Sequence, residues 1–103
     1  MQVEKFIHDL VRPLVFSGAY KNETVAIKDI VATHIEKKID SYNGIIQKLQ
    51  KKYREDFEIF TRDIKNRATP ELEDDWMEWK GAIEMRKAWS SALKEVIESE
   101  AKV

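Results

Sequence analysis

The sequence contains no cysteine, only three glycines and two prolines, and no long apolar run. Without cysteine, the chain cannot form a disulfide scaffold, a thiolate zinc site or a cysteine nucleophile. A helix that spans a bilayer needs about 18 apolar residues, and no stretch approaches that length. The first residues also lack the apolar core of a signal peptide. We therefore expect a cytoplasmic protein that makes no membrane contact.

The composition instead favours long, solvated helices. Charged residues make up 36% of the 103-residue chain, hydrophobic residues make up 43%, and the mean hydropathy is -0.54. Such values, with few helix breakers, are typical of helices that carry narrow apolar stripes. The length corresponds to one domain. We predict a single all-α domain, residues 1–103, built from long antiparallel helices in a hairpin or bundle.

Three helical segments follow from the spacing of apolar residues and from capping signals. The first covers about 3–17, with a kink or division at Pro13 and a stop at Gly18. The second covers 23–65 behind the N-cap Asn22, either as one continuous helix or with an interruption. Asn43-Gly44 is a poor helix pair and one candidate for a bend, but a break near 53–56, where Asp56 could cap a new helix, is favoured over it. The third covers 70–99, because Thr69 and Pro70 form an N-cap followed by proline at the first helical position.

The central segment carries an apolar seam with alternating steps of three and four residues, the pattern of helices that pack at shallow angles. Its members are Ile35, Ile39, Tyr42, Ile46, Leu49 and Tyr53. A chain of thin helices buries little core by itself. We therefore predict that this seam and the N-terminal helix form a homodimer.

Charge is distributed unevenly along the chain. Residues 1–54 carry ten basic and six acidic side chains, whereas residues 55–103 carry eight basic and thirteen acidic ones. The basic front half offers four candidate contacts to nucleic-acid phosphates, namely Lys21, Lys28, Lys37 and Lys38. Because acids alternate with them, we expect weak DNA binding or none. Ordinary segregation of charge on helix surfaces explains the same distribution equally well.

Residues suited to catalysis do not form a recognisable constellation. His8 and His34 lie in different predicted helices and lack the Glu-x-x-His companions of a carboxylate metal bundle. Ser41, Ser90 and Ser91 have no glycine elbow, and no glycine-rich phosphate loop is present. We predict a protein that is not an enzyme and that uses no cofactor and no metal.

The start of the last helix combines acids with two tryptophans. The candidate partner-binding residues are Glu73, Asp74, Asp75, Trp76, Glu78 and Trp79. One interpretation is a hot spot, in which tryptophans fill a partner's pocket and carboxylates meet its basic rim. The other is structural, because acids favour a helix N-terminus and tryptophans favour a core. The two rings are offset by about 60° around the helix, so we expect Trp79 inside and Trp76 nearer the rim.

This region resembles a family of short archaeal and bacterial antitoxins, which are typically encoded beside a small toxin in type II toxin–antitoxin modules. The resemblance covers about residues 50–90. It rests on Lys52-Tyr-Arg-Glu-Asp-Phe-Glu-Ile-Phe60, then Asp74-Asp-Trp-Met-Glu-Trp79 and Glu84-Met85. The chain departs from the family pattern at Arg54, where glycine is common, and at Asp56, where serine is common. The resemblance implies that the acidic C-terminal half binds a small basic toxin.

A second resemblance covers residues 16–35. The run Ser17-Gly-Ala-Tyr-Lys-Asn-Glu-Thr-Val-Ala-Ile-Lys-Asp-Ile30 is similar to the turn and second helix of ribbon-helix-helix antitoxins of the ParD type. Those proteins read DNA with an N-terminal strand. Here only Met1, Gln2 and Val3 precede the helical pattern, so the reading strand is missing.

Three functional hypotheses result. The first is an antitoxin-like protein that dimerises and neutralises a small basic toxin with its C-terminal half. The second is a DNA-binding regulator of the ribbon-helix-helix type. The third is a helical scaffold in which every tryptophan belongs to the core.

Overall fold

The computed structural model describes residues 2–99, and these fold into helices with no strand. The helices are α1 (Gln2–Phe16), α2 (Glu23–Tyr53), α3 (Phe57–Ile64) and α4 (Pro70–Ser99). The predicted all-α class is confirmed. Pro13 lies inside α1, which continues through it to Phe16, so this proline does not divide the helix.

Local capping residues set the first turn between helices. Gly18 adopts a left-handed φ of 83°, and its N–H donates to the Val15 carbonyl at 3.0 Å, while the Ala19 N–H reaches the Leu14 carbonyl at 3.1 Å. This pair of hydrogen bonds is the Schellman arrangement that closes a helix. Four residues later, the Asn22 side chain accepts a hydrogen bond of 2.9 Å from the Val25 N–H and begins α2.

The central segment is two helices rather than one continuous helix over 23–65. α2 ends at Tyr53 because Arg54 adopts a left-handed conformation, with φ 56° and ψ 34°. The Asp56 side chain then accepts a 2.9 Å hydrogen bond from the Ile59 N–H and begins α3. This is the region in which the sequence predicts a break. Arginine occupies the left-handed position that glycine adopts with less strain.

α4 returns antiparallel to α2. The Thr69 hydroxyl caps it, accepting from the Leu72 N–H at 3.2 Å. Lys52, near the end of α2, contacts Glu71 at the start of α4, whereas Lys28, near the start of α2, donates to the Ile97 carbonyl near the end of α4. The result is a long helical hairpin with dimensions of 60 × 25 × 24 Å.

The core lies at the α3 end of this hairpin, where α2, α3 and α4 meet. Its buried residues are Ile46, Leu49, Phe60, Ile64, Trp79 and Ala82. The Trp79 ring is fully buried, with the Phe60 and Phe57 rings 5.3 and 5.5 Å away. Its indole N–H has no hydrogen-bond acceptor among the described residues, so this tryptophan contributes packing.

The predicted dimer seam is occupied largely within the chain. Ile46 and Leu49 are buried in the hairpin core, with Tyr42 and Tyr53 packed against it, and Ile35 is also buried. A seam with three- and four-residue steps specifies that a helix packs on another helix, but not which chain supplies that helix. Here α4 of the same chain contacts α2. The seam surface is therefore unavailable to a second copy while the hairpin is closed.

Candidate partner-binding surface

The surface of interest lies where α3, the following turn and the start of α4 meet. It is a groove of about 410 Å³ with a mainly apolar lining. The lining residues are Thr61, Ile64, Lys65, Ala68, Glu73, Trp76 and Met77. The Asp56 cap and the left-handed Arg54 fix the direction in which α3 leaves α2, and α3 forms one wall of this groove.

Trp76 is held at the groove by contacts to its ring and by a hydrogen bond from its indole N–H. Its indole N–H donates to the Thr61 hydroxyl at 2.8 Å, and that hydroxyl donates to the Phe57 carbonyl at 2.7 Å. The Phe57 ring stacks on it with centroids 5.9 Å apart, and the Lys80 ammonium lies 5.2 Å from its centroid. The half-buried side chain is therefore oriented before any partner binds.

The predicted inside and rim positions of the two tryptophans are confirmed. Trp79 is fully buried, whereas Trp76 is partly exposed. Trp79, one of the predicted partner-binding residues, could reach a partner only if the hairpin opened. The two side chains differ because a 60° offset on α4 turns one ring into the core and leaves the other beside the groove.

The acids at the start of α4 divide into two groups. Asp75 accepts hydrogen bonds from the Lys52 ammonium at 2.7 Å and from the Tyr53 hydroxyl. Lys52 also contacts Glu71 at 3.1 Å, and Lys48 contacts Glu78 at 3.2 Å. These three acids join α4 to α2. Asp75 and Glu78 therefore already have cationic partners within the chain.

The pairing at Asp75 is reflected in its titration. Hydrogen bonds from Lys52 and then from Tyr53 hold the pKa of Asp75 below its ordinary value. The hydrogen bond to Asp75 raises the pKa of the Lys52 ammonium above its ordinary value. Burial, followed by the hydrogen bond to Asp75, raises the pKa of the Tyr53 hydroxyl. All three groups therefore keep, at neutral pH, the protonation states that the cluster requires.

Glu73 and Asp74 form the second group. Both are exposed, and within residues 2–99 neither forms an ion pair. Glu73 lines the groove together with Lys65, and Asp74 is the next residue of α4. Of the predicted partner-binding residues, Glu73, Asp74 and Trp76 are thus accessible and close together. Met77, 65% exposed, and Ile64 complete this surface. Sequence reasoning missed both, because the groove forms only when α3 packs on α4.

The candidate nucleic-acid contacts do not form one surface. Lys28 is half-buried and donates to the Ile97 carbonyl at 3.0 Å, while Lys21, Lys37 and Lys38 are exposed. Lys28 and Lys37 lie nine residues apart on α2, which places them on opposite sides of the helix. The part of the chain that the structure describes also contains no strand that could enter a major groove.

Residues 2–99 likewise show no group of three or more His, Asp or Glu side chains placed to hold a metal ion. His8 contacts Glu23, and His34 packs edge-on against Trp89 with centroids 5.9 Å apart. Among the described helices, none combines the length and apolar character needed to cross a membrane. No protein-family model matches the chain, and neither a curated protein nor a solved structure shows significant similarity to it.

Proposed function

We propose that the protein is a non-enzymatic, antitoxin-like binding module that neutralises a small basic protein through its C-terminal half. The observation that carries the proposal is the α3–α4 groove, where the oriented Trp76 lies near Glu73 and Asp74, two acids that form no ion pair within the described residues. The antitoxin resemblance of residues 50–90 covers the same segment.

The groove has the features of a protein-binding hot spot. An apolar side chain of the partner can fill the space between Trp76, Met77 and Ile64, where tryptophan and methionine are typical of interface centres. Glu73 and Asp74 supply unpaired negative charge on the α4 wall. Such charge accelerates encounter with a basic partner and fixes its orientation. Proteins that act on nucleic acid need a basic surface, so covering that surface would block them.

Homodimerisation remains part of the proposal, but the surface that forms the dimer differs from the seam predicted from the sequence. The seam from Ile35 to Tyr53 faces α4 of the same chain, so a second copy must use another face. We expect any DNA binding to be weak and without sequence preference, because the exposed lysines are dispersed and phosphate contacts alone give low, salt-sensitive affinity.

The proposal requires the neighbouring gene to encode a small basic protein, and it is tested by measuring the binding of that gene product by calorimetry at two salt concentrations. We compare the full-length protein with the double variant Glu73→Gln/Asp74→Asn. The matched control is Asp40→Asn/Glu95→Gln, which removes the same charges from exposed positions outside the groove. We expect salt-dependent binding that weakens at least tenfold in the groove variant and less than twofold in the control. Absence of a complex, or equal weakening in both variants, would contradict the proposal.

A further inference from the structure

The N-terminal end of the molecule exposes large apolar side chains on two helices. On α1, Val3, Phe6 and Leu10 are 54%, 63% and 60% exposed. On α2, Ile27, Ile30 and Val31 are 37%, 46% and 40% exposed. We call these six residues the N-terminal apolar face. Solvent contact of so many large apolar side chains is unfavourable and marks an interaction site.

The geometry places the two sets at the same end of the hairpin. α1 packs on the first turns of α2, where Val11 and Ala26 are buried and His8 contacts Glu23. Val3, Phe6 and Leu10 lie within about 60° of one another around α1. Ile27, Ile30 and Val31 lie within about 100° around α2. Each set therefore presents one continuous stripe.

The area of the face matches a protein interface. Six large side chains at these exposures present on the order of 500 Å² of apolar surface. A stable interface buries roughly 800 Å² on each partner, of which somewhat more than half is apolar. The face therefore supplies the apolar surface that one side of such an interface needs.

The charges near the face favour a protein partner over a membrane or a nucleic acid. α1 carries Glu4, Lys5, Asp9 and Arg12, which balance, and Lys5 already contacts Asp9 at 3.4 Å. Helices that lie on membranes and surfaces that bind phosphates carry an excess of Lys and Arg. That excess is absent from α1.

The same balance favours a second copy of this chain as the occupant. A two-fold interface pairs a patch with itself, so any net charge on the patch would repel the partner's identical patch. The charges that α1 places beside the N-terminal apolar face cancel, so two copies of this face do not repel each other through α1. The face is separate from the α3–α4 groove.

We infer that the N-terminal apolar face of one protomer packs on the same face of a second copy and forms a two-fold symmetric dimer. The inference rests on the dimer stated under the proposed function and assigns its surface. It leaves the α3–α4 groove open to the basic partner.

Sedimentation equilibrium of the full-length protein at 1–100 μM tests the inference. We expect a wild-type mass of twice the 12.1 kDa chain. The double variant Phe6→Ser/Leu10→Ser should dimerise at least 100-fold more weakly. The matched control Ile59→Ser/Met85→Ser removes exposed apolar side chains outside both the face and the groove and should dimerise like the wild type. Circular dichroism establishes that each variant is folded.

Ile30→Ser provides a separate test on α2 if the α1 variant does not fold, and it should weaken the dimer at least tenfold. A wild-type protein that stays monomeric at 100 μM would overturn both the dimer and its surface. A wild-type dimer that both face variants leave intact would overturn the assigned surface and retain the dimer. Neither result bears on binding of the basic partner, which uses a different surface.

Discussion

The α3 end of the hairpin and the N-terminal end bury similar side chains to very different extents. Phe60 and Trp79 are fully buried where α2, α3 and α4 meet, whereas Phe6 and Phe16 at the other end are 63% and 81% exposed. The number of helices explains the difference, because three helices enclose one end and α1 covers only part of the other. One end therefore buries the aromatic core, and the other leaves large apolar side chains exposed.

The largest expected effect comes from truncating the same residue type at the two ends. Phe60→Ala should lower the free energy of unfolding by about 3–5 kcal/mol, because it opens a cavity in the aromatic core. That loss is comparable with the whole stability of a small domain. Phe16→Ala, at an exposed position, should change it by less than about 0.5 kcal/mol. Urea unfolding followed by circular dichroism in dilute solution measures both, and equal losses would show that the ends do not differ.

A smaller effect is expected from the ion pairs that join α4 to α2. Asp75→Asn removes the carboxylate that accepts hydrogen bonds from Lys52 and Tyr53. We expect this change to lower the free energy of unfolding by about 1–2 kcal/mol. Asp74→Asn is the matched control, because the neighbouring carboxylate is exposed and unpaired within the described residues. We expect almost no loss of stability in the control.

The same two variants test a predicted dependence of the free energy of unfolding on pH. The folded-state pKa of Asp75 lies below the unfolded value of about 4. Its stabilising contribution is therefore complete above that pH and is lost as the pH falls through the folded-state pKa. Unfolding free energies measured between pH 2 and pH 7 should fall less steeply below pH 4 in Asp75→Asn than in the wild type. Asp74→Asn should retain the wild-type slope.

The capping interactions were predictable from sequence because they are local. Asn22, Asp56 and Thr69 each cap a helix through a backbone N–H three residues later, so the residue type and its neighbours suffice. The left-handed Arg54 was harder to predict, because arginine has no preference for that conformation.

Two features could be assigned only from the tertiary structure. These are which acids of α4 form ion pairs and which helix packs on the apolar seam of α2. Asp74 and Asp75 are adjacent in sequence, yet a 100° rotation turns only Asp75 toward Lys52. Likewise, the spacing of Ile46 and Leu49 predicted a packed helix face but could not distinguish α4 of the same chain from a second copy. The exposed stripe on α1 had the spacing of a core-facing stripe, and only the limited contact of α1 with the hairpin leaves it open.

The smallest expected change in stability concerns the two residues with a left-handed backbone, Gly18 before α2 and Arg54 after it. Arg54→Gly should stabilise the protein by about 0.5–1 kcal/mol, because glycine adopts φ 56° without strain. Gly18→Ala should destabilise the protein by about 1 kcal/mol, because a φ of 83° is unfavourable for alanine. A steric clash is not the reason, since nothing lies within 4 Å of the added Cβ. Chemical denaturation measures both changes in the free energy of unfolding, and two changes of the same sign would contradict this explanation.

Hydrogen exchange of the full-length protein at several concentrations tests most directly the claim that one end supplies stability and the other supplies a binding face. In dilute protein, amides of residues 46–49 and 79–82 should exchange far more slowly than those of residues 6–11, because local opening requires least energy where few apolar contacts are buried. At high concentration, residues 6–11 and 27–31 should gain protection, while the core amides stay unchanged. Slow exchange of residues 6–11 in dilute protein, without any dependence on concentration, would contradict the account.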